Sequence, residues 1–177
     1  MDRNKELLNF STEYENIRHD DYSDLFRLVQ KIVQRLMRKT RPGILLGLIE
    51  MGFDRGNFIG GLHYGGTNEI YLNKSALRVM REESEPELYK AYVFFLLLHE
   101  YIHSVGVMDE RMTRQFTRDI ILTVFNNDHP ISKLAVQGLN AHFPYTFNQR
   151  TYRPTRAELA NPEYVKINHP DSEWTYS

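Results

Sequence analysis

The chain has 177 residues, 41% of them hydrophobic and 25% charged, with a formal charge of −1 and no cysteine. That size and balance predict one globular domain with a sizeable core, and the near-neutral charge argues against a general polyanion binder. Without cysteine there is no disulfide, no thiolate metal site and no cysteine nucleophile, so any bound metal must rest on His and carboxylates. No stretch approaches the ~18 apolar residues of a membrane span, and Asp2 to Lys5 is too polar for a signal peptide, so a soluble, cytoplasmic protein is expected.

Residues 1–20 are mixed and polar, with Leu7, Leu8 and Phe10 as the apolar cluster. The run Asp20-Asp21-Tyr22-Ser23-Asp24 supplies N-cap candidates for a helix to about Lys39, whose apolar stripe is Leu25, Leu28, Val29, Ile32 and Leu36. The other side carries Arg27, Lys31, Arg35, Arg38 and Lys39. Such a face can meet nucleic acid or an acidic partner, but in a near-neutral chain it reads as a solvated face, so nucleic acid is not the expected partner. Pro42-Gly43 ends the helix, and Ile44 to Ile49 is short and uniformly apolar, compatible with strand or helix. From Gly52 to Asn73 the pattern is strand, glycine turn, strand, the second strand being apolar at alternate positions around Ile70 and Leu72. Glycines 60, 61, 65 and 66 fit turns or a close backbone approach, and His63 reads as a strand or surface histidine rather than a ligand. Ser75 to Arg81 is a short helix, and Ser84-Glu85-Pro86-Glu87 predicts a capping box that starts the next helix near residue 85.

That next helix carries the chemistry. Val93 through Leu98 offer no polar face, which predicts a helix buried through the centre of the domain. At its end stands His99-Glu100-Tyr101-Ile102-His103, the pattern H-E-x-x-H. Residues four apart share a helix face, so His99 and His103 present two imidazoles to one point, as Zn²⁺ requires of two ligands. Glu100 lies beside that point as a general base. A core helix with two satisfied histidines is the plain alternative, but a metal compensates three buried polar groups at once.

The rise of the helix locates a third ligand. Gly106 breaks the helix about five residues past the midpoint of the histidine pair, or ~7.5 Å along the axis. If the next helix folds back antiparallel, Asp109, Glu110 and Thr113 fall level with the pair, whereas Asp119 is ~20 Å along. Asp109 is taken first and Glu110 second, since one acid can cap the helix while the other binds metal. His129 and His142 are more distant options.

The stretch His99-Glu-Tyr-Ile-His103-Ser-Val-Gly106-Val-Met-Asp109 resembles the signature of the zincin metallopeptidases, with a spacing similar to the metzincin form H-E-x-x-H-x-x-G-x-x-H/D. The resemblance implies His99, His103 and Asp109 as zinc ligands, Glu100 as general base, and a hairpin edge strand that lines the cleft and pairs with extended substrate. It spans roughly residues 57–125 and departs from metzincins in one respect: the last methionine is Met112, so no downstream methionine turn exists. In this the chain is more similar to minimal single-domain zincins, some of which take a glutamate from the following helix as third ligand.

Helices are expected over 110–125, with Met112, Phe116, Ile120 and Val124 inward, and over 130–142. From Phe143 the composition turns to proline and aromatics without helical or strand period. The expected organisation is therefore an α+β domain over 1–142, mostly helical with a small β-hairpin or sheet before the buried helix, and an extended strap or tail over 143–177. By the same resemblance the tail, with His169, Asp171 and Glu173, is a candidate to lie in the cleft and cap the metal. The expected function is hydrolysis of peptide or protein substrates by a zinc metallopeptidase. Its alternatives are a catalytically silent or autoinhibited zincin scaffold that serves as a binding or regulatory module, and an assembly protein that uses the basic helix.

Overall fold

The computed structural model describes residues 3–142 and 148–167. In chain order it begins with α1 (Arg3–Asn16), α2 (Tyr22–Met37), β1 (Leu45–Ile49), β2 (Phe53–Asp54), β3 (Gly61–His63) and β4 (Glu69–Asn73). There follow α3 (Lys74–Glu83), α4 (Pro86–Ser104), α5 (Glu110–Val124), α6 (Pro130–Gln137), a 3-10 turn (Leu139–His142), β5 (Thr151–Tyr152), α7 (Arg156–Ala160) and β6 (Glu163–Val165).

A helix apolar on every side has only the interior to occupy. Every residue of α4 from Leu96 to Ile102 is buried, and α2, α5, α6 and β3 pack around it. Ser84 does not start this helix: its hydroxyl turns back onto the carbonyl of Met80 at the end of α3, and Glu85 takes the N-cap position without a side-chain bond. The capping box is lost because α3 already claims Ser84 as its last cap. Asp21 caps α2 by accepting the Asp24 amide at 3.0 Å, and Leu25, Leu28, Val29 and Ile32 form its buried stripe. The basic face of α2 is partnered within the fold: Arg27 pairs with Asp24, Lys31 with Glu13 and Arg35 with Glu6. Two of those acids come from α1, which the mixed polar sequence of residues 1–20 did not reveal.

The main sheet has the order β3-β4-β1-β6, with β1 parallel to β4 and both outer strands antiparallel to their neighbours. Leu46 lies opposite Ile70 and Leu48 opposite Leu72, and these four apolar side chains face the helices. Residues 148–167 are structured without side-chain period because their strands are too short to show one: β5 pairs with β2, and β6 covers the β1 edge. The molecule is a single α+β domain with this strap closing one edge of the sheet. The other edge, β3, faces α4. No helix among the described residues is long and apolar enough to cross a membrane. His169, Asp171 and Glu173 lie outside the described residues.

Candidate metal centre

The site begins with how α4 ends. Gly106, at φ +100°, closes a Schellman turn in which its amide donates to the His103 carbonyl at 3.0 Å and the Val107 amide to the Ile102 carbonyl at 3.3 Å. The last exposed carbonyls are met by cations: Arg41 donates to the Ser104 carbonyl at 2.7 Å and Lys39 to that of Val105 at 3.2 Å. The turn brings the Val107 carbonyl back over His103, whose Nδ1–H donates to it at 2.8 Å. Thr113, buried on α5, stands 3.3 Å from the same nitrogen and donates to the Val107 and Asp109 carbonyls.

Asp109 caps α5, and Glu110 is the acid that stands beside the two imidazoles. Asp109 is the N-cap of α5, and its carboxylate accepts the Met112 amide at 2.8 Å. An extended N-cap turns its side chain onto the helix's own amides, whereas the next residue projects outward. That next residue is Glu110. It stands with Oε1 3.4 Å from His99 Nε2 and Oε2 3.0 Å from His103 Nε2. Arg114, one turn on, donates to Oε1 at 2.8 Å. Among the described residues His99, His103 and Glu110 form the group with metal-ligand character, its donor atoms within 4.8 Å of one another. Ligands bound at about 2.0–2.1 Å around a tetrahedral ion stand about 3.3–3.4 Å apart, a spacing near these imidazole–carboxylate separations, which are hydrogen-bonding distances as well.

The hydrogen bonds also fix the tautomer of the neutral His103 ring. A carbonyl only accepts, so the Val107 contact makes His103 Nδ1 the protonated nitrogen. In the neutral ring Nε2 then carries a lone pair that faces a carboxylate oxygen at 3.0 Å, acceptor against acceptor. A shared proton or a metal ion resolves that confrontation. Burial lowers the pKa of His99, against the pull of Glu110, and favours the neutral, ligating form. Burial alone would raise the Glu110 carboxyl, but His99, Arg114 and His103 outweigh it and hold the group below the usual carboxylate range.

Glu100 has the opposite environment. It is 6% exposed, and burial, reinforced by the charge of Glu110 and opposed by the His63 backbone amide, pushes its pKa up to about 8. Gly61 makes room for it: a Cβ there would lie 2.8 Å from Glu100 Cγ and 2.9 Å from Oε1. The glycine in β3 therefore answers to the close approach of the glutamate, which sequence reading had left between turn chemistry and proximity.

No model of a known family, no curated protein and no solved structure matches this chain. The remaining candidates sit elsewhere or do other work. His129 caps α6, accepting the Ile131 amide at Nδ1, and holds Glu15 at 2.8 Å through Nε2. His142 ends the 3-10 turn and is not part of the ligand group. His63 donates from Nδ1 to the Glu69 carbonyl at 2.9 Å and lines the cleft, outside the ligand group.

Glu100 and the three-residue group open onto a cleft of about 1190 Å³ between β3 and the segment before it, α4, α5 and the end of α6. No described residue beyond Leu139 lines it, so the described strap forms no wall of the cleft. Arg114 and the Val107 carbonyl were the parts invisible to motif reading. Arg114 had a signal, its i+4 spacing from Glu110 on an expected helix, but the backbone carbonyl had none.

Proposed function

We propose that this cleft is the active site of a zinc-dependent peptidase with His99, His103 and Glu110 as the metal ligands and Glu100 as the general base. The observation that carries the reading is the convergence of His99, His103 and Glu110, their donor atoms within 4.8 Å of one another, beside a buried glutamate on a cleft wall. Zinc held there supplies a Lewis acid that polarises a carbonyl and acidifies a water. The chain's own residues do the rest. Val107 and Thr113 fix the His103 ring, and Arg114 fixes the Glu110 carboxylate, the supporting contacts that metal ligands need. Glu100 holds and moves the proton: its carboxylate takes one from the attacking water and returns it to the leaving amine. The β3 strand is a sheet edge that lines the cleft, so an extended peptide would pair there with the main-chain groups other than the His63 amide, which Glu100 takes.

Elemental analysis of chelator-free protein tests the ligand set. One zinc per chain is expected in the wild type and in Glu100→Gln and Asp109→Asn, with loss in His99→Ala, His103→Ala and Glu110→Gln. Peptide hydrolysis is expected in the wild type and not in Glu100→Gln. A wild type that takes up no zinc would return the cluster to a proton-sharing core pair.

A further inference from the structure

We propose that the cleft selects acidic peptides, and that Arg111 and Arg118 of α5 are the residues that recognise them; this rests on reading the cleft as a peptide-binding one. The α5 wall presents Arg111, Arg114, Gln115, Arg118 and Asp119 to the cavity, the three- and four-residue spacing of a single helix face. Arg114 is committed to Glu110 at 2.8 Å. The two arginines that flank it are exposed, and neither has an ion-pair partner within 4.0 Å among the described residues.

The other walls cannot supply the selection. The segment Gly56 to His63 carries no charged side chain apart from the imidazole of His63, and Ala135 to Leu139 carries none. Pairing along β3 uses main-chain groups and tolerates any sequence, so discrimination between charged and neutral side chains falls to the facing helix. Outside the ligand group and Glu100, the one carboxylate on the cleft is Asp119, adjacent to Arg118 in the chain, and neighbours one apart on a helix do not face each other. Two uncommitted guanidinium groups therefore face one carboxylate. Their planar forks match carboxylates in two-point fashion better than any other side chain does. Arg111 and Arg118 are seven residues apart, about 10.5 Å along the axis. An extended peptide covers that span in about three residues. The ligand is thus a peptide with Asp or Glu at positions about two to four apart.

The test uses full-length, zinc-loaded protein carrying Glu100→Gln, so that bound peptide persists. Anisotropy is read with a rhodamine-labelled decapeptide containing three Glu and with its Gln counterpart. At low salt the Glu peptide is expected to bind about fivefold tighter, the order that two exposed ion pairs supply, and 1 M salt should erase the difference. The double variant Arg111→Gln/Arg118→Gln should bind both peptides alike. Arg111→Glu/Arg118→Glu should prefer a Lys counterpart, and an unchanged thermal midpoint checks that each variant is folded. Equal binding of the Glu and Gln peptides by the arginine-bearing wall, or a preference that survives in the double Gln variant, overturns the proposal. Cleavage-site profiling of wild type on a peptide digest separates it from the peptidase reading. Cleavage without enrichment of Asp and Glu removes the acidic selection and leaves the peptidase. Arginine-dependent binding without cleavage removes the peptidase and leaves the acidic ligand.

Discussion

Lys90 and Glu100 are both ionisable, both buried, and ten residues apart on the same helix, yet the fold treats them in opposite ways. Lys90 is 1% exposed; its ammonium donates to the Glu15 carbonyl at 3.3 Å and lies 4.4 Å above the Tyr14 ring, sealed beneath α1. Burial lowers its pKa, and neither its contacts nor a cavity gives it a reaction to serve. Glu100 is packed almost as tightly but sits on a cleft wall, under the glycine of β3 and beside three converging ligand atoms. Burial and a shifted pKa therefore do not mark a site by themselves. What sets Glu100 apart is the cavity next to it and the three side chains of metal-binding type that converge there.

The contrast can be broken by substitution. Glu100→Gln should keep zinc and lower kcat by about 10³-fold, the scale of a lost general base, in a fluorogenic-peptide assay. A variant that retains turnover would put Glu100 in the same structural class as Lys90. Glu110→Gln should weaken zinc binding by more than about 100-fold, beyond the cost of losing a supporting partner, by competition with a chromophoric chelator, while Asp109→Asn leaves it within about threefold because a capping carboxylate does not touch the ion. The reverse ranking would restore Asp109 as ligand. Gly61→Ala forces a methyl against Glu100 Cγ, 2.8 Å away in the present packing. We expect about a tenfold fall in kcat with zinc content unchanged, and ~1–3 kcal/mol of overpacking in denaturant melts. Asp109→Ala should cost about 1 kcal/mol as a lost cap.

The smallest effect is at Lys90. Lys90→Met should leave kcat unchanged. Because burial lowers the folded-state pKa of Lys90, the unfolded chain binds the proton more tightly between that value and 10.5. Wild-type stability relative to Lys90→Met should therefore rise with pH through that window and stay flat below it, as urea melts at stepped pH would show. A gap that shrinks with rising pH would mean that the Tyr14 ring and Glu15 hold the ammonium charged more firmly than burial opposes it.

Much of the scaffold was legible because its signals are local. The apolar run of α4, the i, i+4 histidines, the Asp21 cap and the glycine after the helix each depend on neighbours within a turn or two. The undecided run at Ile44 to Ile49 became a strand because β4 and β6 pair with it from both sides, a long-range fact. The helix α1 was hidden by weak amphipathy: its buried Phe10 and Tyr14 are few among polar residues, and Tyr14 is held by long-range ring contacts with Phe94 and Phe125. The expected helix over 130–142 stops at Gln137 because Gly138, at φ +86°, turns the chain into a 3-10 segment.

The sequence by itself determined that a buried helix would carry two imidazoles and a glutamate to one place, since helical period alone puts them on adjoining positions. It also put Asp109 and Glu110 ahead of a downstream histidine as candidates for a third ligand, since the rise per residue bounds how far a returning helix can reach. Only the tertiary structure chose Glu110 over Asp109, because that choice depends on the backbone angle at the α5 cap rather than on residue type. Only it placed the Val107 carbonyl on His103 and Gly61 against Glu100, contacts made by backbone atoms that no side-chain pattern encodes.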